Sequence, residues 1–217
     1  MARAQERVYA GMRERIRTFD IEPGSRLDIN EIAERYDASA IPVREALARL
    51  AAEGLIDREP QTGFTAPRVA VRRVIDDNAV VFLFLRYITD LYFEQRPDGF
   101  LEALEAANAW LTAEPRGAEE LATEVETATE GLLDLLQSPK LASAVRAALD
   151  SSHHYRTVYF RTFPIDEYIT ARRLYAEALR SGDETAAREL VRQTQYRFAA
   201  GSREVCREVM LDLLDRA

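Results

Sequence analysis

The sequence predicts a mainly α protein, with an N-terminal winged helix-turn-helix over residues 1–68 and a C-terminal all-α helical bundle over residues 69–217. Three observations predict it. Ser39 to Leu55 reads as a capped helix that ends at Gly54, and only about four residues part it from a shorter helix before it, the connection of a helix-turn-helix. Strand-like alternation is confined to LIDREPQTGFTAPRV. From Val71 onward the apolar positions keep to helical spacing through to the end.

Taken in order, Gln5 to Phe19 carries Val8, Met12, Ile16 and Phe19 at helical spacing, and Pro23-Gly24 supplies the turn that follows. Asp28 and Glu31 form a capping-box pattern ahead of Ile29, Ile32 and Ala33, so a second helix runs from about Ile29 to Tyr36. In the third helix Ser39 is the N-cap, Pro42 fits the first turn, and Val43, Leu47 and Leu50 recur on one face. Ile41, Arg44 and Ala48 lie along another face, one that could enter a groove of DNA. Pro60 to Gly63 marks the turn of a small hairpin, and the boundary between the two parts falls near Thr65 to Val69. Further helices are expected at about Val71 to Gln95, Gly99 to Ala113, Ala118 to Gln137, Lys140 to Phe163, Asp166 to Arg180 and Glu184 to Asp215. Proline and glycine turn chemistry separates them, at Pro97 to Gly99, Glu114 to Gly117, Ser138-Pro139, Phe163-Pro164 and Ser181 to Asp183.

A chain of 217 residues, 47% hydrophobic, can bury a substantial core. Its net charge of −8 excludes a nucleic-acid coat over the whole surface, so any such site must be local. The charge is unevenly shared, with 13 basic against 12 acidic residues up to residue 75 and 16 against 25 beyond it. A lone Cys206 excludes an internal disulfide and any multi-cysteine zinc site. The leading MARAQERVYAG lacks the apolar core of a signal peptide, and the apolar run Ala79 to Leu85 is too short to span a bilayer. The expectation is a cytoplasmic protein with no membrane partner.

The run YAGMRERI, then PGSRL, NEIAERYDAS, IPVREALARLAAEGLI and TGF, resembles the N-terminal domain of GntR-type bacterial transcription regulators over about residues 8–69. PVREAL followed by RLAAEGLI is its specific part. The helical remainder resembles the FCD domain of the FadR branch, in its shorter VanR-like form, through LLQSPKLASAVRAAL and AEALRSGDETAARELV. The resemblance implies a homodimer on a palindromic double-stranded operator, held by recognition helix and wing, with repression the expected sign. It also implies a small organic acid as effector, shifting the placement of the two heads. The residues expected at DNA are Asn30, Ser39, Ile41, Arg44 and Arg49, with Arg58 and Arg68 flanking a wing formed by Gln61, Thr62 and Gly63.

Two departures from the family pattern change those expectations. Where members usually carry an arginine directly after the N-cap, this chain has Ala40, and Ile41 replaces a common threonine. A bidentate guanine contact worth roughly 1–3 kcal/mol of discrimination is thereby missing, and Ile41 offers a thymine methyl contact instead. The operator is expected to differ from the family's usual one. Many members of the branch also hold a divalent metal with an Asp and three His, and the aligned positions here are Val125, Thr129, Arg172 and Thr194. None is a usual ligand, so neither metal nor other cofactor is expected; a shifted register would bring Glu126 or Glu130 inward without supplying histidines. If Arg172 points into the same cavity, its guanidinium would hold a carboxylate in the metal's place.

Arg86, Tyr159, Arg161 and Gln195 are further candidates for a polar pocket, because they interrupt otherwise apolar helix faces. His153 is another, although adjacent helical residues point about 100° apart and the pair His153-His154 therefore cannot chelate one ion. Ser152 beside His153 is badly placed for nucleophilic catalysis, and no enzymatic activity is expected. Each of these residues also has an ordinary reading as surface or helix-pairing, as does the aromatic group Phe82, Phe84, Tyr87, Tyr92 and Phe93 as core and dimer contact. The competing function is a helical small-molecule sensor whose winged helix no longer reads DNA specifically, a reading that Ala40 and the acidic body keep open.

Overall fold

The computed structural model describes residues 2–59, 63–109, 117–136 and 138–216. Its first part is a three-helix head, α1 (Ala2–Arg17), α2 (Ile29–Arg35) and α3 (Ala40–Ala52), followed by the antiparallel hairpin of β1 (Asp57–Glu59) and β2 (Gly63–Thr65). Val8, Met12, Val43, Leu47 and Leu50 are fully enclosed in its core, so the helical spacing read from the sequence is the spacing of buried side chains. The Asp28 carboxylate caps α2, accepting from the backbone N–H groups of Asn30 at 2.7 Å and Glu31 at 3.3 Å. Ser39 occupies the N-cap position of α3, but its hydroxyl makes no capping bond there. The residues just before α2 also pair with the hairpin: Arg26 bridges Thr65, and the Leu27 N–H donates to the Phe64 carbonyl. A single bridge has no alternation to betray it, which is why the sequence reading contains only the hairpin.

The second part comprises α4 (Val71–Gln95), α5 (Phe100–Asn108), α6 (Ala118–Asp134), α7 (Pro139–Thr162), α8 (Ile165–Ser181) and α9 (Glu184–Arg216). The stretch from Trp110 to Ala113, placed by sequence on the same helix as Phe100, lies outside the described residues. Phe84, Ile88, Phe100, Leu104, Leu132 and Leu179 fill the centre. Gly182, at φ +77°, ends α8 in the left-handed conformation that glycine adopts without strain. A smaller apolar cluster of Val74, Tyr155, Val158, Val205 and Val209 joins α4, α7 and α9 at the end nearest the head. Among the described residues no helix is long and apolar enough to cross a membrane.

Candidate functional site

Because α3 turns Val43, Ala46, Leu47 and Leu50 inward, the residues between them face out. Ile41 is 61% exposed, and Arg44 and Ala48 are exposed beside it. Among the described residues Arg44 has no hydrogen bond or ion pair. Arg49 is engaged within the head instead. Its guanidinium sits 3.6 Å from the centre of the Tyr9 ring and pairs with Glu53 and Glu6, each at 3.1 Å. The Tyr9 hydroxyl donates to Glu53 at 2.6 Å; burial, that bond and the Glu53 charge together push the phenol up to about 12. Arg49 thus braces α3 against α1, and must change partners before it can meet a phosphate or a base. Asn30, Ser39 and Arg58 are exposed, the last with its guanidinium 5.8 Å from the Phe64 ring centre. Gly63 enters β2 at φ +85°, a conformation that a side chain would strain although no atom crowds the position. Gln61 and Thr62 lie outside the described residues.

The head rests on α4 and α7 through charged groups. Arg13 of α1 grips Asp150 of α7 with both Nε and Nη2, at 2.5 and 2.7 Å. Arg73 of α4 donates to the Gly54 carbonyl and, at 3.1 Å, to the Ser151 hydroxyl. Phe19, just past α1, stacks on His154 with ring centres 4.4 Å apart. Between these contacts lies a cluster around Glu126 of α6. Arg17 donates to its Oε2 at 2.8 Å, Arg156 of α7 donates to its Oε1 at 2.9 Å, and the His153 Nδ1 lies 2.7 Å from Oε1. Burial alone would raise the Glu126 carboxyl, but the His153 hydrogen bond and the Arg156, His153 and Arg17 charges outweigh it and hold the group below its ordinary range. Nδ1 of His153 is also 2.6 Å from Nη1 of Arg17. A single ring nitrogen cannot accept from Arg17 and donate to Glu126 at once, so the tautomer decides which neighbour it serves.

Behind this cluster, α4, α6, α7, α8 and α9 enclose a cavity of about 50 Å³. Val125, Thr129, Arg172 and Thr194, the four positions that the sequence resemblance aligns with metal ligands, all line it, together with Arg156 and Phe82. Arg172 is 9% exposed and donates to the Asn108 side-chain oxygen at 2.6 Å. Among the described residues the Nε atoms of both Arg156 and Arg172 are buried with no hydrogen-bond partner. These residues do not fit a divalent metal: Val125 has no donor atom, the Thr129 and Thr194 hydroxyls are spent on the backbone carbonyls of Val125 and Leu190 at 2.8 Å each, and two guanidiniums repel a cation. Among the described residues no group of three or more His, Cys, Asp or Glu is placed to hold one. A wider cavity of about 530 Å³, open to the surface, shares Tyr168, Ala171, Thr194 and Phe198 with the inner one.

Of the other sequence candidates, Tyr159 lines the wider cavity, while His153, 2% exposed, faces the seam with the head rather than either cavity. Arg86 is exposed on α4, Arg161 is exposed and paired with Asp212, and Gln195 lines neither cavity. The sequence reading missed Arg156. The signal was its place on the stripe Leu149, Ser152, Arg156 and Phe160, where a guanidinium interrupts an otherwise buried face of α7.

A winged helix-turn-helix head above an all-helical body defines the class: a protein whose outward third helix is shaped for the major groove of DNA. Residues 4–65 match the family described as bacterial regulatory proteins, gntR family. The chain is 36% identical over 99 residues to an uncharacterized HTH-type transcriptional regulator from the unstable DNA locus of Streptomyces ambofaciens, a match covering 46% of this chain and 37% of that protein. It is 37% identical over 60 residues to the HTH-type transcriptional regulator McbR of Escherichia coli, covering 28% of this chain and 27% of the relative. These matches thus span well under half of either relative. The solved structure of E. coli McbR/YncC superposes with a TM-score of 0.67 at 19% identity, over 93% of this chain and 97% of that one. A GntR-type protein from Rhodococcus sp. RHA1 does so with a TM-score of 0.68 at 21% identity, over 93% and 98%. The fold of both parts is therefore shared with these regulators.

Proposed function

We propose that the protein is a ligand-responsive transcription regulator, acting as a repressor, that binds a palindromic operator as a homodimer in the cytoplasm. The observation that carries the reading is the outward face of α3, where Ile41 and Arg44 stand exposed above a fully packed core in a domain that matches the gntR family. Ile41 contacts a thymine methyl, Arg44 a base edge or phosphate, and the wing at Gln61 to Gly63 follows the adjacent minor groove. The relatives that the head matches are transcription regulators, not enzymes.

The effector is a small carboxylate held in the inner cavity by Arg172 and Arg156, whose unpartnered Nε atoms support an anion rather than a metal. Its apolar part extends toward the wider cavity past Tyr168 and Phe198. Binding favours one placement of the head over another and so changes operator affinity. Selection of binding sites from random-sequence duplex DNA by the full-length protein tests the reading. It should enrich a two-fold symmetric sequence that differs from the family's usual operator, because Ala40 and Ile41 replace the usual side chains; recovery of no common sequence would refute DNA readout.

A further inference from the structure

We propose that a carboxylate in the inner cavity and the Glu126 carboxylate compete for Arg156, so that occupancy of the cavity sets how firmly Glu126 holds Arg17 of the head. This inference rests on the cavity being an effector site. Arg156 stands in both places at once, lining the cavity and donating from Nη2 to Glu126 at 2.9 Å. Elsewhere in this protein an arginine takes a carboxylate side-on through Nε and Nη2 together, as Arg13 takes Asp150. Among the described residues one prong of that fork on Arg156, Nε, is buried and unpartnered, and the other, Nη2, divides its two N–H groups between Glu126 and the Leu149 carbonyl, each at 2.9 Å. A bound carboxylate that uses the whole fork must displace one of these two acceptors, and the one it repels is Glu126, which carries the same charge, whereas the Leu149 carbonyl is neutral.

Glu126 then has Arg17 and His153 left as partners. Arg13 cannot intervene, since both of its inner nitrogens are committed to Asp150. Losing the shared guanidinium concentrates the Glu126 charge on Arg17, at 2.8 Å, and on the His153 Nδ1, at 2.7 Å. Occupancy of the cavity therefore tightens the hold of the body on the last turn of α1, and Arg17 is a positioning residue for ligand binding although it touches no part of the cavity.

Coupling between sites is reciprocal, which makes the relay measurable from the ligand side alone. Removing Arg17 leaves Glu126 to Arg156 and weakens carboxylate binding; neutralising Glu126 frees Arg156 and strengthens it. The experiment is calorimetric titration of the full-length protein with benzoate and hexanoate, with benzamide and hexanamide as uncharged counterparts, after thermal melts confirm that each variant is folded. Arg17→Gln should weaken binding of the acids by roughly fivefold or more, Glu126→Gln should tighten it, and Arg17→Lys should restore most of the wild-type affinity. The amides should show no such dependence. Acids that bind wild type and Arg17→Gln equally, or variants that shift affinity in the same direction, would overturn the relay while leaving the cavity as an effector site. Failure of both acids to bind wild type would overturn the effector reading, and the relay with it. If Glu126→Gln does not fold, the two Arg17 variants decide the matter.

Discussion

Arg44 and Arg49 sit five positions apart on one helix and have different work. Arg44 is legible from sequence, because the buried series Val43, Leu47 and Leu50 fixes which face is left outside. Arg49 is not legible in the same way: its partners Glu6 and Tyr9 lie some forty residues earlier and meet it only once α1 crosses α3. The proposed DNA contact at Arg44 predicts that Arg44→Ala lowers operator affinity by about 1–3 kcal/mol in fluorescence anisotropy, with little change in melting temperature. Arg49→Ala should do the converse in larger part, lowering the melting temperature through the loss of the Tyr9 and Glu53 contacts. A thermally neutral Arg49→Ala would contradict its bracing role. Arg172 was legible as a pocket residue only through its alignment with a metal-ligand position. Arg156 could have been found from α7 alone, as a charge on a buried stripe.

At the scale of elements, turn chemistry and helical spacing located the helix ends of the body that fall among the described residues to within a few residues, since proline and glycine act on the backbone before any tertiary contact forms. Cap geometry was less transparent. Asp28 and Ser39 both stand at N-cap positions, yet only the Asp28 side chain bonds to the following N–H groups. Asp28→Ala should therefore cost about 1 kcal/mol of stability, whereas Ser39→Ala should cost little, as compared by chemical denaturation. Equal costs would show that the Ser39 hydroxyl caps α3 in solution. The strand bridge between Arg26 and Thr65 was invisible for a different reason: one backbone pair leaves no periodic trace in side-chain type.

At the scale of the whole molecule, the charged seam between head and body is what sequence could least reveal, because the ion pairs that tie α1 to the body join residues more than a hundred positions apart. Arg13 reaches Asp150 and Arg17 reaches Glu126 only through the packing of α1 on the body. The depressed Glu126 carboxyl gives the seam a pH signature. A group whose native value is lowered stabilises the fold fully above its ordinary value of 4.5 and loses that contribution as pH falls through the lower native value. The stability gap between wild type and Glu126→Gln should therefore be constant from pH 7 to about 5 and close below that. A gap that already closes above pH 6 would contradict a carboxyl held below its ordinary range.

Whether the packed winged helix reads specific DNA is decided by fluorescence anisotropy of the full-length protein on the selected operator and on a scrambled duplex, across a salt series. Tight, sequence-selective binding is expected, with an affinity that falls steeply with salt as phosphate contacts release counterions. Weak binding that is equal on the two duplexes at every salt concentration would contradict it.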